Sequence, residues 1–166
     1  MIYTQQNFID SVTQEFAILK HLSTKIPTGT DGYKPTDGQR TTLELLQYLS
    51  TIFAAYVEVI YKNDTTLFVE LSAGSKTTTV ENFGQKMDTQ LELFKTRLAQ
   101  FSDSDFATVV NIYGSGDKTK AVYLMEWITK WLAAYKMQLF LYIKSSGNTS
   151  ISTMNLWAGM DMPKSE

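Results

Sequence analysis

The sequence predicts an all-α fold, a bundle of four long amphipathic helices with short extended connector segments. Three observations predict it. Four separate segments repeat apolar residues at three- and four-residue steps, which lays an apolar stripe along one helix face. Clusters of Pro, Gly, Asn and Asp divide those segments. One stretch alone carries a strand signal, and no other part of the chain offers it a pairing partner.

The first helix spans about Gln6 to Lys25, with Phe8, Val12, Phe16, Leu19 and Leu22 as its stripe. Pro27 and the Gly29, Asp31, Gly32 cluster stop it. The second begins at Thr41 or Thr42; with Thr41 as cap, Glu44 falls at the capping-box position. Its apolar set, from Leu45 and Leu46 through Leu49, Ile52, Phe53, Tyr56, Val57 and Ile60, is wide, so the helix is buried on more than one side until it ends near Lys62, Asn63 and Asp64. Leu67 to Leu71 reads as a short helical or extended connector.

A third helix starts near Thr79, with Val80, Phe83, Met87, Leu91, Phe94 and Leu98 as its stripe. Gly84 weakens it by about 1 kcal/mol relative to alanine. The β-branched and aromatic run from Phe106 to Tyr113 reads as an extended arm. The fourth helix runs from Thr119 to Ser145 and stops at Gly147, with Leu124, Ile128, Trp131, Tyr135, Gln138, Leu139 and Tyr142 facing inward. In the tail, Trp157 and Met160 are expected to dock on the bundle. One domain covering residues 1–166 is the expected organisation.

Composition narrows the function. The chain has no cysteine, which excludes disulfides, thiolate nucleophiles and thiolate metal sites. Fifteen basic residues stand against 17 acidic, and no run of basic residues exceeds two, so the footprint for a phosphate backbone is missing and no nucleic acid is expected as partner. The N-terminal stretch has neither the charge nor the apolar run of a secretory signal. No apolar stretch reads as a membrane span, so no membrane association is expected. A cytoplasmic location follows as the expectation.

Two segments carry a family resemblance. Tyr33 to Phe53, YKPTDGQRTTLELLQYLSTIF, resembles the entry to the second helix of the DinB-like four-helix-bundle proteins. In that family a Pro, a Gly, a polar cap and Glu-Leu-Leu lead to a histidine. Trp131 to Gly147, WLAAYKMQLFLYIKSSG, is similar to the family's last helix, with Lys136, Gln138, Leu139, Phe140, Tyr142 and Gly147 carrying the likeness. Helix order and length agree as well, so the resemblance spans nearly the whole chain and implies a DinB-like bundle. It further implies a divalent metal held by one histidine of the second helix and two of the fourth, used to activate a thiol or water.

Laid onto this chain, the three histidine positions are Tyr48, Trp131 and Tyr135. An indole does not ligate a metal, and phenols are poor ligands for zinc or nickel at neutral pH. No metal and no cofactor are therefore expected, and what the resemblance transfers is the fold. Tyr48, Trp131 and Tyr135 can be read in two ways. They form a pocket for a small apolar or aromatic ligand, with two phenols to orient it, or they are large rings closing the core.

Other candidates are weaker. His21, the sole histidine, has no nucleophile that can be tied to it and reads as a surface or groove residue. Glu44, Glu58, Glu92 and Glu126 are scattered and include no Glu-x-x-His pair of the kind that builds carboxylate metal sites in bundles. Gly114 to Asp117, GSGD, lacks the Lys-Ser/Thr pair after its last glycine and reads as a turn before a helix cap. The tail, with Met154, Trp157, Met160 and Met162, is a candidate contact for a homodimer. The function expected is non-catalytic binding of a small molecule or partner. The alternative is a DinB-like transferase or hydrolase of the thiol-dependent type, using a non-standard metal site or none.

Overall fold

The computed structural model describes residues 4–163. Helix α1 spans Gln5–Ser23 and is opened by a capping box between Thr4 and Asn7. Its stripe is buried as expected, from Phe8 at 6% exposure to Leu19 and Leu22 at 0%. Each such side chain withdrawn from water contributes roughly 1.5–3 kcal/mol. The following loop is pinned back onto the next helix, where the amides of Thr42 and Leu43 donate to the carbonyls of Tyr33 and Asp31, both at 2.8 Å.

The second helix is two helices, α2 (Thr42–Leu49) and α3 (Ile52–Lys62). Thr41 and Glu44 form the expected capping box, the Thr41 amide donating to Glu44 Oε2 at 2.8 Å. The single continuous helix expected from the apolar pattern is corrected by a break at Ser50 and Thr51. There the Ser50 hydroxyl competes with the backbone by donating to the Gln47 carbonyl at 2.8 Å. Taken together, Thr42–Lys62 is the one helical stretch among the described residues with the length and hydropathy of a membrane span, contrary to the expectation of none. It is broken midway, and 56% of its apolar window is buried inside the bundle.

The connector after Asp64 is the short helix α4 (Leu67–Ser72), followed by a 3-10 turn at Ala73–Thr77. Helix α5 (Phe83–Leu98) starts later than Thr79, because Asn82 turns back to accept the Thr79 amide at 2.8 Å. Phe83, Met87, Leu91, Phe94 and Leu98 are buried as expected.

The lone extended arm is a second correction. Phe106 lies in a short helix, α6 (Asp103–Ala107). Strand β1 (Val109–Val110) then pairs antiparallel with β2 (Lys118–Thr119), Val109 opposite Thr119. The GSGD segment is the turn between them, as expected. It is tied by the buried Tyr123, whose hydroxyl accepts the Ile112 amide at 3.1 Å and donates to the Gly116 carbonyl at 2.7 Å.

The last helix comprises α7 (Lys120–Leu124), a five-residue π turn (Met125–Thr129) and α8 (Lys130–Ser145). The π turn widens the spiral, and the Thr129 hydroxyl takes up the Met125 carbonyl. The buried stripe of α8 is Leu132, Lys136, Leu139, Phe140 and Ile143, with Tyr142 beside it. The expected inward placement of Trp131, Tyr135 and Gln138 is corrected to the half-buried edge of that stripe. Gly147, at φ +123°, ends the helix as expected.

The tail forms α9 (Thr153–Trp157). Ile151, Asn155 and Leu156 dock it; of the two residues expected to do so, Trp157 is 61% exposed but lies over the Lys136 ammonium of α8 at 5.1 Å, and Met160 is 57% exposed. In the bundle α1 lies beside α5 and α8, α3 beside α5 and α7, and α2 beside α8. Phe16 and Phe53 meet across the diagonal with ring centroids 5.6 Å apart, inside one continuous apolar core.

Candidate functional site

Aromatic side chains gather where α2 and α3 face the π turn and α8. Tyr48, on α2, meets Tyr135 of α8 edge to face with centroids 5.3 Å apart. Tyr56, about one turn into α3, meets Trp131 at 4.8 Å and Trp127 at 5.2 Å, both edge to face. Trp127 and Trp131 stack nearly parallel, 5.4 Å apart and 8° between planes. The three residues singled out in the sequence are therefore brought together, with Tyr48 and Tyr135 in direct contact and Trp131 joined through Tyr56.

Burial grades across this cluster. Tyr56 and Trp127 are 9% and 8% exposed, whereas Tyr48, Trp131 and Tyr135 are partly open to solvent. Burial holds the Tyr48 phenol far above its ordinary ionisation range, and the neighbouring Tyr135 phenol adds to the effect. Burial likewise pushes Tyr56 up to about 12. These hydroxyls are neutral hydrogen-bonding groups at any physiological pH. A neutral phenol is a poor metal ligand and an indole is none, so this donor set does not fit a divalent ion. Edge-to-face rings with polar tips suit a flat or apolar guest.

Arg40, in the loop before α2, lies over the Tyr48 ring with its guanidinium carbon 4.3 Å from the centroid. Its backbone is fixed from the far helix, where the buried Tyr142 hydroxyl donates to the Arg40 carbonyl at 3.1 Å. Tyr48 and Arg40 also line a cleft of about 350 Å³ with Gln39, Gln47, Ser75 and Lys76.

Sequence reasoning did not assign Tyr56, Trp127 or Arg40 to the site. The four-residue spacing of Trp127, Trp131 and Tyr135 was a readable signal for Trp127. No local signal points to Arg40, which reaches the site from a loop.

The remaining candidates are occupied by structural work. His21 meets the Asn155 side-chain amide at 3.0 Å, and burial, then Lys25, holds its pKa down against the pull of Asp161. Glu44 caps α2; Glu58 forks onto Arg97 and meets Lys62 at 2.9 Å. Glu92 pairs with Lys95 at 3.3 Å, and Glu126 with Lys118 at 2.7 Å and Lys130 at 3.2 Å. Among the described residues no three His, Cys, Asp or Glu side chains gather closely enough to hold one ion. In the tail, Met154, Trp157, Met160 and Met162 are all exposed.

No family model and no curated protein matches the sequence. Among solved structures, the chain is similar to a DinB-like protein, YjoA, from Bacillus subtilis. The two share 19% identity at a TM-score of 0.70, over 87% of this chain and 95% of that one. Likeness at this identity is a likeness of fold.

Proposed function

We propose that this chain, whose fold is DinB-like, is a non-catalytic binding protein for a small flat apolar or aromatic molecule. Tyr48, Trp131 and Tyr135 are the rings that receive it, with Tyr56 and Trp127 as the wall behind them. The observation that carries the reading is the graded burial of this cluster. Two rings are closed into the core, and three keep open edges at one junction between the second and last helices.

The reading also holds that the chain works without the family's metal, since Tyr48, Trp131 and Tyr135 offer no suitable donor. A second copy of the chain is the proposed partner for the exposed methionines and Trp157 of the tail.

The test is tryptophan fluorescence during titration with naphthalene. Saturable quenching is expected, weakened by roughly tenfold in Trp131→Ala and Tyr135→Ala as ring contacts are lost. Absence of saturation would refute the site. Metal content after incubation with zinc, nickel and manganese and desalting is the companion measurement. About one ion per chain would move the thiol-dependent transferase or hydrolase reading to first place.

A further inference from the structure

Resting on the aromatic-site reading, we infer that the ligand is an aromatic carboxylate, its ring set against Tyr48 at the edge of the aromatic cluster and its acid group held by Arg40 and Lys76. The cleft is lined by Tyr48, whose ring also meets Tyr135, so a ligand in the cleft abuts the aromatic cluster through Tyr48. Its volume, about 350 Å³, suits a small ring system with one polar substituent.

The charges in the cleft favour an anion. Most basic side chains among the described residues are ion-paired, as Lys20 is with Asp88, Lys25 with Asp161 and Lys136 with Glu15. Arg40 and Lys76 have no such partner among the described residues. Lys76 donates to the neutral Gln47 Oε1 at 3.4 Å, and among the described residues no hydrogen bond uses the Arg40 guanidinium, which rests on the Tyr48 face. The one carboxylate in the cleft, Glu44, is committed to the Thr41 amide at 2.8 Å. Two cations against one anion leave the cleft positive in a chain whose net charge is −2.

Arg40 is also held in readiness. The Tyr142 hydroxyl fixes its carbonyl, and the Thr42 amide ties the loop to Tyr33 at 2.8 Å. A guanidinium whose N–H groups are unspent matches a carboxylate as a two-pronged donor. Loop ordering, a usual cost of binding, is met before the ligand arrives.

The experiment compares naphthalene, 2-naphthoate and 2-naphthylmethylammonium by tryptophan quenching on the full chain. The naphthoate is expected to bind roughly tenfold tighter than naphthalene, and the ammonium weaker than either. Added salt is expected to erode only the naphthoate's advantage. In Arg40→Gln and in Lys76→Gln the ratio of naphthoate to naphthalene affinity should fall toward one. Naphthalene binding in the same variant reports that the site is still folded. Equal affinity for naphthalene and naphthoate, or an unchanged ratio in Arg40→Gln, overturns the acid-group inference and leaves the aromatic site standing. If none of the three probes binds, the aromatic site is refuted and this inference falls with it.

Discussion

Gln90, on α5, donates its side-chain N–H to the Leu49 carbonyl at 2.8 Å, across the gap where the second helix breaks. The oxygen of the same amide accepts from Phe53 at 2.8 Å and Ala54 at 3.2 Å. One neutral side chain, 2% exposed, thus pairs both the last carbonyl of α2 and the first free amides of α3. Without it these groups would be buried and unsatisfied.

Gln90→Ala is accordingly expected to lower stability by about 2–4 kcal/mol, since it leaves more than one buried backbone group unpaired. Gln90→Glu keeps the acceptor and loses the donor to Leu49, and should also destabilise the protein. Urea unfolding followed by circular dichroism checks both. A cost within about 0.5 kcal/mol for Gln90→Ala would mean that water takes over the bonds.

The Lys136 side chain is 4% exposed and contacts both Glu15 oxygens, Oε1 at 2.8 Å and Oε2 at 2.6 Å. The Trp157 ring lies over its ammonium at 5.1 Å. Lys136→Ala should cost about 1–3 kcal/mol, the lower part of the usual range for a broken buried pair because Glu15 is 25% exposed. The double variant Lys136→Met, Glu15→Leu should recover most of that loss. Thermal unfolding of the singles and the double measures the coupling.

Gly159 has φ +63°, and a side-chain carbon there would come within 3.3 Å of Ile18 Cα and Cγ1. Gly159→Ala is expected to loosen the tail, at a cost of about 1–2 kcal/mol. Hydrogen exchange should speed up at Asn155 and Leu156 and stay unchanged in α5. Equal protection of the tail in both proteins would contradict this contact.

The tail should also respond to pH through His21. Burial and Lys25 lower its pKa in the folded protein, so the unfolded chain takes up a proton first as pH falls. The contribution of neutral His21 is therefore complete above about 6.5 and is lost as pH falls below that value. Tail protection should drop between about pH 7.5 and about pH 5.5. In His21→Gln, which can still bond Asn155, that dependence should flatten. A tail equally protected at both ends of the range would sink the prediction.

What could be read from the sequence was what depends on near neighbours. Thr41 and Glu44 stand three residues apart, so their capping box is written in one short string. The stripes of α1 and α5 repeat at helical spacing within single helices and are buried as expected. Their assembly into a DinB-like bundle followed from helix order and two local motifs. The gathering of Tyr48 and Tyr135 could be read only through that resemblance.

What could not be read depends on distant partners or on a change of period. Gln90 lies 41 residues from Leu49, and nothing local marks it as the staple of a helix break. The Val109–Thr119 pairing involves strands of two residues each, too short for an alternation signal. Trp127 lies beside Ile128 within the π turn, and a regular helical period marks Ile128 as the inward position while leaving Trp127 off that stripe. Arg40 enters the site from a loop whose course is set by Tyr33, Asp31 and Tyr142.

The wide turn at Met125–Thr129 is the record of a compromise between two anchors. Upstream, Lys120 is fastened to Thr108 by its amide at 2.9 Å and to the Tyr61 carbonyl by its ammonium at 2.6 Å. Downstream, Lys136 is fastened to α1 through Glu15. A regular helix has a fixed angular phase between these points, and removing one residue would rotate one end against the other by about 100°. The wide turn takes up that mismatch, so each end keeps its own partner. Trp127, within that turn, and Trp131, four residues on, present parallel faces on one side of the helix.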